Sequence, residues 1–296
     1  MTRLADRYEL RRVLGRGGMG EVWAARDVRE GRDVAVKTAS GSAALDRLRR
    51  EATVAASVDH PGVVGVHGTG RDGATSYLVM DLLPGPDLGR VLGGGPLPAG
   101  EAVRVTAAVA DALAATHRAG VIHGDVKPAN VVVVGDHVVL IDFGVAATAA
   151  DDDGQVTFGT APFMAPEQVV SGPLTPATDV YALGCLLTAA VTGRPPFVGE
   201  LPTAVLHRHV RATPPRLADL VPGVPAELDE LTARMLAKDP ARRSGLDEVG
   251  DVLARVRRDA PLDRLRPRPL PAVVGSLEPD ATQPALVMLE EGHRAA

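Results

Sequence analysis

The chain has 296 residues, 45% hydrophobic and 23% charged, with a formal net charge of −5. That much apolar material excludes a disordered chain, and a mildly acidic balance without a basic block argues against nucleic acid as the main partner. Cys185 is the single cysteine, which excludes a disulfide framework or a cysteine-based zinc site and reads as a small buried side chain.

The opening stretch is charged throughout and lacks the apolar centre of a signal peptide. Tyr8–Leu14 has strand character, followed by a glycine cluster and two further short strands, Glu21–Arg26 and Arg32–Thr38. Ala43–Ser57 reads as a helix, with Leu45, Leu48, Ala52 and Ala55/Ala56 recurring at helical spacing. Two more strands are expected at Val63–His67 and Ser76–Met80. From Pro84 to Pro98 the chain is rich in breakers, and helices dominate beyond: Gly100–Ala119, Thr178–Thr192, Pro202–Arg211, Glu227–Ala237 and Leu246–Arg257. Among them Val131–Val134 and Val138–Ile141 form a small hairpin about Gly135 and Asp136. The tail after Ala260 is proline-rich and expected to be extended, with Pro284–Glu291 as an optional short helix. The longest apolar runs fall short of the roughly 18–20 residues that span a bilayer, so the expectation is a soluble cytoplasmic protein with no membrane span.

Of the 32 basic residues only three are lysine, namely Lys37, Lys127 and Lys238. They are either leftovers of a composition bias or sites that need a compact point charge instead of a planar fork. Lys238, in an Ala-Lys-Asp-Pro turn, reads as a surface residue. Gly15, Arg16, Gly17, Gly18, Met19 and Gly20 lie between two strands. This is either a tight hairpin turn or a loop whose amides can approach phosphates; a dinucleotide fingerprint would open a helix instead. Lys37 shares a strand face with Ala35, and such a position asks for an anionic partner, for which Glu51 on the Leu48–Ala55 stripe is a candidate. His123, Gly124, Asp125, Lys127 and Asn130 form a polar cluster between a helix and the hairpin. Asp142, Phe143 and Gly144 follow an apolar strand, then Gly159, Thr160 and Pro162 lead to Ala165, Pro166 and Glu167, and Asp179 opens the next helix.

This ordered set resembles a bacterial eukaryotic-like (Hanks-type) serine/threonine protein kinase over roughly residues 8–258. The resemblance implies an α+β, bilobal fold: an antiparallel-sheet small lobe with one helix over about 8–80, a hinge at 81–86, and a mainly helical large lobe over 87–258. Residues 259–296 would form an extended tail. It implies that the γ-phosphoryl of Mg-ATP is transferred to serine or threonine hydroxyls of proteins, with autophosphorylation, in soluble bacterial signalling. Leu14 and the glycine loop would cover ATP, with Val22 and Ala35 above adenine, Val132 below, Met80 behind and hinge backbone at Asp81 and Leu83 along its edge. Lys37 would hold phosphates while paired to Glu51, and Asn130 with Asp142 would bind Mg²⁺. Asp125 would accept the acceptor's proton, Lys127 would neutralise the transferring group, and Thr160 would bond near both. Glu167 would pair with Arg243.

The departure from the family pattern is Gly124, where arginine is usual; that predicts weak dependence on activation-segment phosphorylation at Thr148 or Thr157. Val145 implies a preference for threonine acceptors, and pairing of two kinase domains is a further partner option. Two other readings are a small-molecule phosphotransferase of the same superfamily, which the Gly-Thr and Ala-Pro-Glu segments argue against, and a non-catalytic scaffold, which the intact motif positions argue against.

Overall fold

The computed structural model describes residues 3–17, 20–41, 43–143 and 160–268. The expectations for Gly18, Met19, Val145, Thr148, Thr157 and Pro284–Glu291 lie outside these residues.

The first part is a six-stranded antiparallel sheet of β1 (Arg3–Leu4), β2 (Tyr8–Gly17), β3 (Gly20–Asp27), β4 (Arg32–Ser40), β5 (Val66–Asp72) and β6 (Thr75–Asp81), in the order β1-β2-β3-β4-β6-β5. Helix α1 (Ala44–Ala56) runs between β4 and β5. Strand β4 is buried on both faces. Ala35 and Lys37 lie on the face that packs toward Leu48, while Val34 and Val36 join Leu4, Tyr8, Ala25 and Val79 on the other. That second face is closed partly by β1, two residues long and too short to leave a periodic signal.

The strand expected over Val63–His67 begins later. Val63 pairs in parallel with Leu140 instead, and the Val64 amide donates to the Leu140 carbonyl at 3.1 Å. These two valines therefore link the first part of the chain to the hairpin of the second.

Within the breaker-rich connector sits a short helix, α2 (Leu88–Leu92), which Asp87 caps by accepting from the Arg90 amide at 2.9 Å. Beyond it come α3 (Ala99–Arg118), the hairpin β7 (Val131–Val134) and β8 (His137–Leu140), α4 (Pro166–Val169), α5 (Pro176–Thr192), α6 (Pro202–Arg211), α7 (Leu217–Leu220), α8 (Ala226–Met235) and α9 (Leu246–Asp259). Helix α5 is apolar on every face and is buried almost throughout, as such a helix must be. It ends at Gly193, whose φ of 79° makes the left-handed stop.

One apolar cluster runs unbroken from Ala35, Leu48 and Met80 through Leu140 and Phe143 to Leu113, Leu183 and Leu253. The tail's beginning belongs to this body. After α9 a single 3-10 turn, Leu262–Arg264, buries Leu262 in the same cluster, and the Arg268 amide donates to the Leu220 carbonyl at 2.8 Å.

Candidate active site

In the glycine-rich segment β2 and β3 are paired up to Gly17 opposite Gly20. Gly20 has φ 130°, and a Cβ there would lie 1.8 Å from the Thr38 carbonyl oxygen, so only glycine fits. Arg90 of α2 reaches across and donates to the Leu14 carbonyl at 3.0 Å, tying the large lobe to the root of this loop. Leu14, Val22 and Leu83 pack against the core that contains Ala35 and Met80, and Val132 is buried on β7. The Asp81 amide is committed to the Gly65 carbonyl at 2.9 Å, so of its backbone only the carbonyl is left for a ligand.

Below the sheet lies an ionic group made from three elements. Lys37, 7% exposed, donates from Nζ to both oxygens of Glu51, at 2.9 and 3.0 Å, and also to Asp142. Asp142 follows β8 with φ 61°, a left-handed conformation that aspartate tolerates better than most residues. One ammonium thus serves two carboxylates. Burial pushes the Glu51 carboxyl up from its ordinary range, and Asp142 adds to that while Lys37 opposes it. Burial also works against an ionised Asp142, but the charge and hydrogen bond of Lys37 outweigh it and hold Asp142 below its ordinary value. The two carboxylates in turn outweigh the burial penalty on Lys37, whose pKa is raised.

The loop between α3 and β7 carries the second group. Lys127 Nζ donates to Asp125 Oδ2 at 2.7 Å and to Thr160 Oγ1 at 2.8 Å, joining the loop to the segment before α4. Asn130 donates from Nδ2 to the Asp125 carbonyl at 2.9 Å and to its Oδ2 at 3.0 Å. The amide nitrogen is thereby spent on Asp125, so that among the described residues Asn130 Oδ1 is the end that can meet a cation. Asn130 also accepts at its carbonyl from the Ile141 amide at 2.9 Å, which holds it beside the residue preceding Asp142. A carboxylate and an amide oxygen make a hard, oxygen-only donor pair suited to a divalent cation that keeps water and phosphate oxygens in its shell. Among the described residues no cluster of three or more His, Cys, Asp or Glu side chains forms a self-sufficient metal site.

The loop's backbone is held from beneath. Asp179 of α5, fully buried, accepts the His123 amide at 2.9 Å and the Gly124 amide at 2.8 Å, and pairs with His117 Nε2 at 2.7 Å. His123 accepts the Asp125 amide on Nδ1 at 3.2 Å, so its proton sits on Nε2, 3.3 Å from the Ile141 carbonyl. Gln168 of α4 donates to the Gly124 carbonyl at 2.8 Å. Helix α4 is anchored in turn by Glu167, which takes a bidentate pair from Arg243 at 2.6 and 2.8 Å and a bond from Thr178 at 2.9 Å. Burial raises the Glu167 carboxyl, but Arg243 outweighs it and the net shift is downward.

The groups centred on Lys37 and Lys127 lie together, close enough for the Lys127 charge to act on Asp142, and the Lys37–Glu51, Lys127–Thr160 and Glu167–Arg243 pairs all form, the last with Cys185 inside the helical lobe. Sequence reasoning misses Gln168, His117 and Arg90. Gln168 accepts the Ala165 amide at 2.9 Å, half of a capping box, but alanine at the cap position leaves the usual Ser/Thr signal out of the sequence. Lys238, expected at the surface, is half-buried: its Nζ lies 4.4 Å from the Phe197 ring centre and donates to the His209 carbonyl at 2.7 Å.

A sheet-rich lobe joined to a helical lobe in this order is the architecture of the protein kinase family, and the chain belongs to that family: the protein kinase domain model matches residues 8–252. It is similar to the serine/threonine-protein kinases PknB of Mycobacterium leprae, 40% identical over 255 residues, and of Mycolicibacterium smegmatis, 41% identical over 260 residues. A probable serine/threonine-protein kinase of Streptomyces coelicolor is 41% identical over 257 residues. Each match covers 81% of this chain but only 41%, 41% and 38% of the respective relative, so the chain spans about two fifths of their length. No helix among the described residues is long and apolar enough to cross a membrane.

Proposed function

We propose that this chain transfers the γ-phosphoryl group of Mg-ATP to serine and threonine hydroxyls of proteins, itself included. The observation that carries the reading is the convergence of two lysine-centred groups on one cleft: Lys37 with Glu51 and Asp142, and Lys127 with Asp125 and Thr160. Bound Mg-ATP supplies the phosphoryl group and a metal that offsets its charge. Lys37 is anchored as a fixed cation for phosphate oxygens, and Asp142 Oδ with Asn130 Oδ1 are the oxygen donors for the metal. Asp125 orients the incoming hydroxyl and takes its proton. Lys127 stands beside it, tied to Thr160, a placement that fits an aliphatic alcohol as acceptor. An ATP-consuming domain with one buried thiol fits the cytoplasm. The test is transfer of labelled phosphate from ATP to a generic protein substrate, with Asp125→Asn as control; the wild type labels the substrate and the variant does not. Equal labelling by both overturns the assignment.

A threonine preference, carried by Val145 next to the Asp-Phe-Gly segment, belongs to the same proposal. A peptide pair differing only in Ser against Thr is expected to show the higher kcat/KM for Thr, and an equal or serine-favouring ratio refutes it.

A further inference from the structure

We infer that Gln168 is a positioning residue for the catalytic loop, fixing through the Gly124 carbonyl the peptide group that carries Asp125. The inference rests on the kinase reading above. Gly124 has φ 75°, and glycine is the residue with the freest backbone, so the 124–125 peptide needs external restraint to hold one orientation. It has restraint at both ends: its carbonyl accepts from Gln168 Nε2 at 2.8 Å, and its N–H, that of Asp125, donates to His123 Nδ1 at 3.2 Å. Rotation of this plane would re-aim the Asp125 side chain away from Lys127 and Asn130.

The amide of Gln168 has no freedom to flip, because its Oε1 accepts the Ala165 amide at 2.9 Å and only Nε2 is left for Gly124. Gln168 is in turn held firmly, adjoining Glu167 and its bidentate Arg243. The contact joins α4 to the catalytic loop through a neutral hydrogen bond between uncharged groups, and a phosphate is not needed to make it.

The test compares Gln168→Glu and Gln168→Met with wild type in the full chain, measuring kcat and the KM for ATP from pH 5.5 to 8.5. Glutamate keeps the length and the acceptor for the Ala165 amide but cannot donate when ionised; methionine keeps the length and offers neither. At pH 8 both are expected to lower kcat by about tenfold or more with KM for ATP changed less than about twofold. As pH falls, the introduced carboxyl gains a proton and donates in place of the amide. The Gly124 carbonyl facing that carboxyl favours its protonated form, so the ratio of the Glu variant to wild type should rise toward pH 5.5, while that of the Met variant stays flat. Asp179, His117, His123, Asp125, Glu167 and Arg243 are common to all three proteins, so the ratio isolates the new carboxyl. Retention of half the wild-type kcat at pH 8 by either variant, or a rise toward pH 5.5 in the Met variant as large as in the Glu variant, overturns the inference. A wild-type chain that transfers no phosphate overturns the kinase reading and this inference with it, whereas an active wild type with indifferent variants overturns only the latter.

Discussion

At the scale of single residues, the nature of the cation decides what the cleft can do. Lys37 sits almost wholly buried between two carboxylates, and a compact ammonium can donate to both at once. A guanidinium is larger and planar, with donors fixed in a fork, so it cannot take the same place without displacing Glu51 or Asp142. Lys37→Met removes the fixed positive charge and is expected to lower kcat/KM by at least about a hundredfold, the scale on which one preorganised electrostatic donor acts. Lys37→Arg should fall nearly as far, with circular dichroism and gel filtration unchanged for both. Near-normal turnover of either variant at saturating Mg-ATP contradicts the role given to Lys37. The scarcity of lysine makes this residue conspicuous in the sequence, and its partner Glu51 is legible because helical spacing places it on the inward stripe with Leu48 and Ala55. Gln168 and Arg90 are harder to see, because each bonds a backbone carbonyl far away in the chain, Gly124 and Leu14 respectively, and a carbonyl carries no sequence signal.

At the scale of elements, α6 shows how a short helix is fixed beside the segment that bears Thr160. Lys238 donates to the carbonyls of His209 and, at 3.4 Å, Arg208 in the last turn of α6, where the helix dipole favours a cation. It also donates to Tyr181 Oη at 3.3 Å, and that hydroxyl meets His209 Nδ1 at 2.9 Å. Half of this arrangement is legible in the sequence: the helix Pro202–Arg211 follows from its pattern, whereas Lys238 reads as a surface residue because its partners are carbonyls of α6 and the aromatic faces of Tyr181 and Phe197. His209 is fully buried, with Nε2 lacking a partner among the described residues. Burial foremost, with the nearby Lys238 charge, drives its pKa from 6.5 to about 4. The folded chain thus binds fewer protons than the unfolded chain between these values. Stability is full above about pH 6.5 and is lost as pH falls toward 4, by an amount on the order of 3 kcal/mol for this group. Denaturant titrations across that window should show the decline in the wild type and a shallower one in His209→Gln; parallel slopes would mean that His209 is not the group being titrated.

For the whole molecule, the two lobes share one apolar core, and polar ties cross between them at Lys37–Asp142, Arg90–Leu14 and Val64–Leu140. The order of lobes and most helices can be read from periodicity, while β1, α2 and the docking of Leu262 cannot. They are too short to show a period and are stabilised by what they pack against. The same view bears on regulation. The catalytic loop is tied below by Asp179, at its side by Gln168 and above by Asn130, all groups present whether or not the chain carries phosphate. A phosphate on Thr157 would add roughly −1.5 to −2 charge and orders a segment only where a cation receives it. Gly124 supplies none, and Asp151, Asp152 and Asp153 bring negative charge to the same stretch of sequence; Arg49 and Arg50 on α1 are the alternative receivers. The Thr148→Ala/Thr157→Ala double variant is therefore expected to lose less than about tenfold in kcat/KM, under ~1.4 kcal/mol of transition-state stabilisation. The measurement is steady-state phosphorylation of a peptide acceptor by wild type and double variant, both stripped of phosphate beforehand and assayed early enough to limit re-phosphorylation of the wild type. A loss of a hundredfold or more with the fold intact would mean that the segment's phosphate commands the site through a cation other than the one Gly124 replaces, and Arg49→Ala/Arg50→Ala should then reproduce the loss.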